Sequence, residues 1–216
     1  MNKALRRQKE YWDRQVSQFD AIYSHRKGYL GNLLDRLLRW DMYERFNYTM
    51  RQSQPVQGRR FLDVGCGTGR YSLEYALQGA ALVVGIDVSE NMIATSSERA
   101  KELNVTGTTR FMQADLLSYN PDSPFHVCVG IGLFDYIRDP LPVMKKMRDS
   151  VEDKVIMSFP TIWTWKAAAR KLQLSMKGCE VFFYTESSLR RLLKEAGFSS
   201  CTLEKIGQLY CVTALR

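Results

Sequence analysis

Phe61-Leu62-Asp63-Val64-Gly65-Cys66-Gly67-Thr68-Gly69 is a short apolar run carrying one acid, followed at once by three glycines at alternate positions. A run of this length, rich in large apolar side chains and closed by glycine, reads as a buried strand. The glycines then let the backbone turn sharply and leave room for a ligand where a Cβ would stand in the way. Residues 70–78 continue as a helical pattern. Strand, glycine turn and helix in that order open a doubly wound α/β sheet, which builds its ligand site at this junction.

The alternation persists in both directions. Residues 81–87 read as a second strand ending in Asp87, with Ser89 as N-cap of a helix over 91–103. A third strand is expected over 109–114, a fourth over 125–131 and a fifth over 154–159, with helices over 142–150 and over 186–195, the latter closed by Gly197. The last two β-rich runs, 201–206 and 209–214, are joined by Gly207-Gln208 alone. Two residues cannot make a parallel crossover, so these strands pair as an antiparallel hairpin. The expected architecture is a mostly parallel sheet with one antiparallel strand.

Upstream, Tyr11, Trp12, Val16, Phe19, Ile22 and Tyr23 recur at helical spacing, and a second helix is expected over 31–50 before Gln54-Pro55 breaks the pattern. The organisation read from this is one unit over 1–216: a helical N-terminal extension or lid over 1–58, a core over 59–216, and within it an insertion over 160–182 that covers an acceptor.

The chain has 216 residues, 45% hydrophobic and 25% charged, an ordinary globular composition. Counting glycine, no apolar run exceeds eight residues, as over 127–134, far below the roughly 20 residues of a membrane-spanning helix. The five cysteines show no Cys-x-x-Cys spacing, which argues against a disulfide framework and a structural zinc site; no metal is expected, and a reducing cytoplasm fits. The net charge of +8 is uneven, because the first 60 residues hold 13 basic and 6 acidic side chains. Such a segment can attract nucleic acid, but its basic residues are dispersed among acids and aromatics, as on a solvated helix face.

Asp87 stands 22 residues after Gly65, the spacing at which a carboxylate accepts both hydroxyls of a ribose. A dinucleotide would ask for Gly-x-Gly-x-x-Gly, and the sixth position is Arg70. Asp63, two residues before the first glycine, would repel a pyrophosphate and welcome an ammonium or sulfonium group.

Residues 62–69 resemble motif I of the class I S-adenosylmethionine-dependent methyltransferases. Gly85-Ile86-Asp87-Val88-Ser89-Glu90-Asn91-Met92, Ala114-Asp115-Leu116 and the stretch 127–137 resemble that family's later motifs, in the family's order. The resemblance implies S-adenosylmethionine as cofactor. Asp63, Gly65, Cys66, Gly67 and Gly69 would surround its methionine part, with Gly130 beside them. Asp87 would hold the ribose, and Val88, Met92, Asp115 and Leu116 the adenine. Each position also has a plainer reading: Asp63 orders the glycine turn, Met92 is core, Asp87 helps cap a helix and Asp115 is a surface acid.

For the acceptor, the fourth strand is followed by Ile131-Gly132-Leu133-Phe134-Asp135-Tyr136, without the Pro-Pro-aromatic motif of nucleic-acid amino methyltransferases. Phe134-Asp135-Tyr136-Ile137-Arg138-Asp139-Pro140 resembles the loop of quinone and tetrapyrrole methyltransferases, where a Glu-His or His-His pair often fills the positions of Asp135 and Tyr136. Asp135 and Tyr136 are the expected acceptor-side residues. Phe19 to His25 resembles the segment that closes over the cofactor in these enzymes, which would bring Tyr23 to the methyl-transfer site and His25 within reach of it. His126 and Cys128 read as structural. Trp163, Trp165, Lys166, Arg170 and Lys171 in the insertion would suit an aromatic or anionic small-molecule acceptor. The expected reaction is O-methylation of such an acceptor. An RNA-modifying methyltransferase using the basic N-terminal region, or a non-catalytic scaffold retaining the fold, are the alternatives.

Overall fold

The structure is a computed structural model that describes residues 6, 9–13, 40–161 and 180–216. Arg6 and residues 9–13 are helical. The ordered elements that follow are α1 (Trp40–Gln52), β1 (Arg60–Val64), α2 (Arg70–Leu77), β2 (Leu82–Asp87), α3 (Glu90–Glu102), β3 (Thr109–Gln113), β4 (Phe125–Gly130), α4 (Pro140–Asp149), β5 (Val151–Pro160), α5 (Glu186–Ala196), β6 (Ser200–Ile206) and β7 (Leu209–Leu215). Two short 3-10 turns, Leu116–Ser118 and Phe134–Tyr136, follow β3 and β4.

The seven strands form one sheet in the order β3-β2-β1-β4-β5-β7-β6. All pairings from β3 to β5 are parallel, and β7 runs antiparallel to both β5 and β6. The expected hairpin and the one reversed strand are both present. The chain reverses its direction of travel across the sheet between β1 and β4, so the crevice at their carboxyl ends is the place where such a sheet binds ligands.

Period-two alternation along each strand divides the core between the two faces. Leu62, Val64, Val84, Ile86, Cys128, Val155 and Met157 pack with Val143, Met144 and Met147 of α4 and Leu189, Leu193 and Ala196 of α5. Phe61, Val83, Val127, Val129, Ile156 and Cys211 pack on the other face with Tyr48 and Met50 of α1 and Tyr71, Tyr75 and Ala76 of α2. Phe61 and Tyr75 stack at 4.2 Å between ring centroids. Burying each such ring stabilises the fold by about 1.5–3 kcal/mol. Cys128 is fully buried, in keeping with its core reading.

Several boundaries differ from the sequence reading, each for a local reason. α4 begins at Pro140 rather than at 142: proline at the first helical position has its φ preset and no amide to waste. β5 begins at Val151 rather than at 154, because Val151 still pairs with Phe125 across a register irregularity between Phe125 and Val127. It also runs through Pro160, which pairs with Leu209, so the first residue assigned to the insertion belongs to the sheet. The helix expected over 31–50 is described from Trp40 and extends to Gln52. Residues 162–179, with the two tryptophans and basic cluster of the insertion, lie outside the described residues, as do Tyr23 and His25.

Candidate active site

The glycine turn is held from beneath by β2. The amides of Gly65 and Cys66 both donate to the carbonyl of Ile86, at 2.8 and 3.1 Å, and the amide of Gly69 closes the turn onto the carbonyl of Cys66 at 3.0 Å. Gly65, Gly67 and Gly69 all have positive φ, of 68°, 54° and 83°, a region that L side chains rarely adopt. Gly69 is the N-cap of α2 and supplies no side chain to its open amides.

Asp63 compensates for that missing cap. Its position in β1 is on the same face as Phe61, toward α2, and its Oδ2 accepts from Ser72 Oγ at 2.6 Å, with the Ser72 amide also contributing. A carboxylate there faces the positive end of the helix dipole. Burial nevertheless dominates and pushes the Asp63 carboxyl up to about 7.

Asp87 joins two loops. Its Oδ2 accepts from the amide of Gly67 at 3.0 Å, and its Oδ1 accepts from the amide of Ser89 at 2.9 Å, an Asx turn that leads into α3. Burial raises its carboxyl above the usual carboxylate range, against the pull of these amides. Ser89 is the N-cap of α3, accepting from the Met92 amide. Val88 is half-buried and its carbonyl accepts from Gln113 Nε2 at 3.0 Å. Met92 and Leu116 are buried, and Leu116 joins the core beneath β1 and β2. Asp115 caps the turn after β3, accepting from the Leu117 amide at 3.2 Å.

Across the crevice, β4 ends at Gly130, where a Cβ would stand 2.8 Å from Met147 Cε and the flexible end of that side chain would have to shift. The following loop is anchored on both sides. The Gly132 amide donates to Ser158 Oγ at 2.8 Å, the Phe182 amide donates to the Asp135 carbonyl at 2.9 Å, and Tyr184 Oη donates to the Phe134 carbonyl at 3.1 Å. Asp135 is buried, and its charge together with burial raises the Tyr184 hydroxyl well above its ordinary value, burial being the larger cause. Tyr136 is half-buried, with its ring edge-on to Trp12 at 5.2 Å.

The structure therefore brings Asp63, the glycine turn, Asp87, Val88 and the loop from Gly130 to Tyr136 to one end of the sheet. His126 is at the opposite end, where its Nδ1 accepts from the Arg60 amide at 3.0 Å, a structural contact between β1 and β4. Trp12, Asp13, Ser158 and Tyr184 support the site. In the sequence Trp12 is one member of an apolar helical face, and Ser158 and Tyr184 stand in stretches whose order resembles that of tetrapyrrole methyltransferases; Asp13 carries no signal.

The family model for a methyltransferase domain matches residues 55–197, the stretch that contains all of these loops. The chain belongs to the methyltransferase-domain family. Its members of this class I fold are S-adenosylmethionine-dependent enzymes, and this methyltransferase is one of them. It is 28% identical over 162 residues to the ubiquinone biosynthesis O-methyltransferase of Methylococcus capsulatus, covering 70% of this chain and 68% of that protein. Against the enzyme of the same name from Rhizobium etli it is 29% identical, covering 74% of this chain but 62% of the relative. A tRNA U34 carboxymethyltransferase of Haemophilus influenzae is 25% identical over 112 residues, 52% of this chain and 35% of that protein. Among solved structures, the magnesium protoporphyrin IX methyltransferase of Synechocystis PCC 6803 with bound SAH superposes with a TM-score of 0.77 at 19% identity, covering 96% of this chain and 97% of that one. That likeness concerns the fold. No helix among the described residues of the methyltransferase is long and apolar enough to cross a membrane.

Proposed function

We propose that this methyltransferase transfers the methyl group of S-adenosylmethionine to the oxygen of a small aromatic or anionic acceptor. The observation that carries this reading is Asp87, whose carboxylate ties the glycine turn to the β2–α3 turn at the β1/β4 crevice. A carboxylate has about four lone-pair directions, so a ribose hydroxyl can join the amides of Gly67 and Ser89 and the contributing amide of Val88. Gly65, Gly67 and Gly69 would border the methionine part with Cys66 and Gly130, while Asp63, when ionised, supplies negative charge beside the ammonium and sulfonium groups. Val88, Met92, Asp115 and Leu116 would form the adenine side.

The reaction is an in-line displacement. The acceptor oxygen forms a bond to the methyl carbon, the carbon–sulfur bond breaks with its electron pair passing to sulfur, and the acceptor's proton leaves to a base or to water. Alignment of the two reactants supplies most of the acceleration. Asp135 and Tyr136 are the groups proposed to hold the acceptor, and Tyr23 and His25 to close over it. The O-methyltransferase relatives support oxygen as the methylated atom. The match to a tRNA-modifying enzyme, together with the basic first 60 residues, keeps RNA as the second reading.

Calorimetric titration with S-adenosylmethionine, S-adenosylhomocysteine and NADH tests the cofactor. Binding of the first two alone is expected, and binding of NADH alone would overturn the reading. Mass analysis of a cell extract incubated with labelled donor then finds the label in a small molecule, or in RNA if the second reading holds.

A further inference from the structure

Besides Ile86 and Asp87, the glycine turn is gripped by a residue far along α3. Arg99, in the last turn of that helix, donates from Nη1 to Thr68 Oγ1 at 2.9 Å and, more loosely, to the Thr68 carbonyl at 3.4 Å. Thr68 is 1% exposed although it stands in the middle of the turn that borders the crevice. α3 lies directly against this turn, because a Cβ at Gly69 would stand 3.0 Å from Ser96 Cβ and 3.2 Å from the Phe111 ring. Helical side chains lean toward the helix N-terminus, so Arg99 reaches back past the level of Ser96 and meets the residue before Gly69.

The contact fixes one peptide unit from both ends. The carbonyl of Thr68 and the amide of Gly69 belong to the same unit: the amide closes the turn onto the Cys66 carbonyl at 3.0 Å, and the carbonyl is held by Arg99. A planar peptide moves as one body, so holding its carbonyl holds its amide. The preceding amide, that of Gly67, is held by Asp87, just ahead of the N-cap of α3. Successive residues of the turn are thus gripped from the two ends of one helix. Three glycines at positive φ give the turn many alternative conformations, and a ligand that binds over it must otherwise order it on arrival. A basic residue in the last turn of α3 would suit the helix dipole wherever its side chain pointed. The dipole does not account for hydrogen bonds to both oxygens of a buried threonine.

We infer that Arg99 is a positioning residue for donor binding, which acts through Thr68 to set the Gly67–Gly69 backbone before the donor arrives. The inference rests on the reading of the crevice as the S-adenosylmethionine site. Loss of the guanidinium leaves the groups that border the donor in the chain and adds disorder that binding must remove, so it shows as weaker affinity. The planar guanidinium can serve both oxygens of Thr68; a lysine ammonium is a point charge on a flexible stem and replaces it only in part.

Calorimetric titration of the full chain with S-adenosylhomocysteine tests this. Arg99→Met, which keeps an apolar stem, is expected to weaken binding about tenfold with the fold intact in thermal unfolding. Thr68→Val keeps the shape of the side chain and the carbonyl, and should weaken binding by less. The double variant should bind no more weakly than Arg99→Met alone, and Arg99→Lys should recover part of the loss. Wild-type affinity in Arg99→Met, no recovery with lysine, or effects that multiply in the double variant would overturn the assignment. Amide hydrogen exchange in the ligand-free chain separates this from failure of the cofactor reading. The Gly69 amide is expected to exchange faster in Arg99→Met, while the Cys66 amide, held by the Ile86 carbonyl, keeps its wild-type rate. Equal acceleration of both would mean a general loosening around α3 and would overturn the inference. If wild type binds no S-adenosylhomocysteine, the cofactor reading falls, and exchange at Gly69 decides by itself whether Arg99 orders the turn.

Discussion

Ser72 Oγ lies 2.6 Å from Oδ2 of Asp63, so the acid of β1 reaches the third residue of α2 and caps a helix whose own N-cap is glycine. Because Asp63 is buried, its carboxyl is raised from 3.8 to about 7, and the folded chain keeps a proton there that the unfolded chain gives up. The contribution of this group to stability is therefore complete below about pH 4, declines as pH rises toward 7 and is constant above it. The slope approaches roughly 1.4 kcal/mol per pH unit where the one-proton difference is fully developed. Asp63→Asn removes that slope. Urea unfolding of both proteins at pH 5 and pH 8 measures it, and parallel profiles would contradict the assignment. The same ionisation should tighten binding of the cationic methyl donor as pH passes through 7 in wild type and not in Asp63→Asn.

Gly67 has φ 54° and donates its amide to Asp87. A β-branched side chain is a steric outlier in that region, and the left-handed conformation costs an L residue about 1–2 kcal/mol. Gly67→Val is expected to lower stability by about that amount and to abolish donor binding, because relief of the strain moves the amide away from Asp87. Calorimetry alongside thermal unfolding separates the two effects. A folded variant that binds the donor normally would remove the turn from the site.

Asp87→Ala should weaken donor binding by about 1.5–3 kcal/mol, the range for charge-assisted hydrogen bonds. Asp87→Asn is informative in a different way. Its oxygen can still accept from the Ser89 amide, but its NH2 group then faces the Gly67 amide, donor against donor, so the glycine turn loses its tie. Asn is expected to bind the donor no better than Ala. Wild-type affinity in either variant would sink the ribose assignment.

What the sequence made legible follows the range of the interactions. The glycine turn, the Ser89 cap and the hairpin through Gly207-Gln208 are local, and each is written in a few adjacent residues. Insertion of β7 between β5 and β6 is not, since it depends on ten-residue β5 finding β7 across about fifty residues of chain. The sequence offers Asp63 as a charge for the ligand or as an ordering group for the glycine turn; its partnership with Ser72 depends on the register that turns it toward α2. Asp13, which accepts a hydrogen bond from Ser89, is 76 positions away from it, and no pattern links the two. The early start of β5 was hidden because Glu152 and Asp153 make its first turn of sequence polar, although Val151 is buried against β4.

Tyr136 distinguishes acceptor chemistry from cofactor binding. It sits in the loop that Tyr184 and Phe182 anchor, on the β4 side of the crevice, whereas the glycine turn follows β1 and Asp87 ends β2, on the other side. Tyr136→Phe keeps the ring that meets Trp12 and removes only the hydroxyl, so the packing of the loop should be preserved. Removing a group that acts only on the acceptor lowers turnover and leaves donor affinity intact. The expected result is reduced transfer of labelled methyl to extract, with the S-adenosylmethionine dissociation constant within about twofold of wild type. The reverse pattern, weaker donor binding with turnover per bound donor unchanged, would move Tyr136 out of the acceptor site and place the methyl acceptor elsewhere along the crevice.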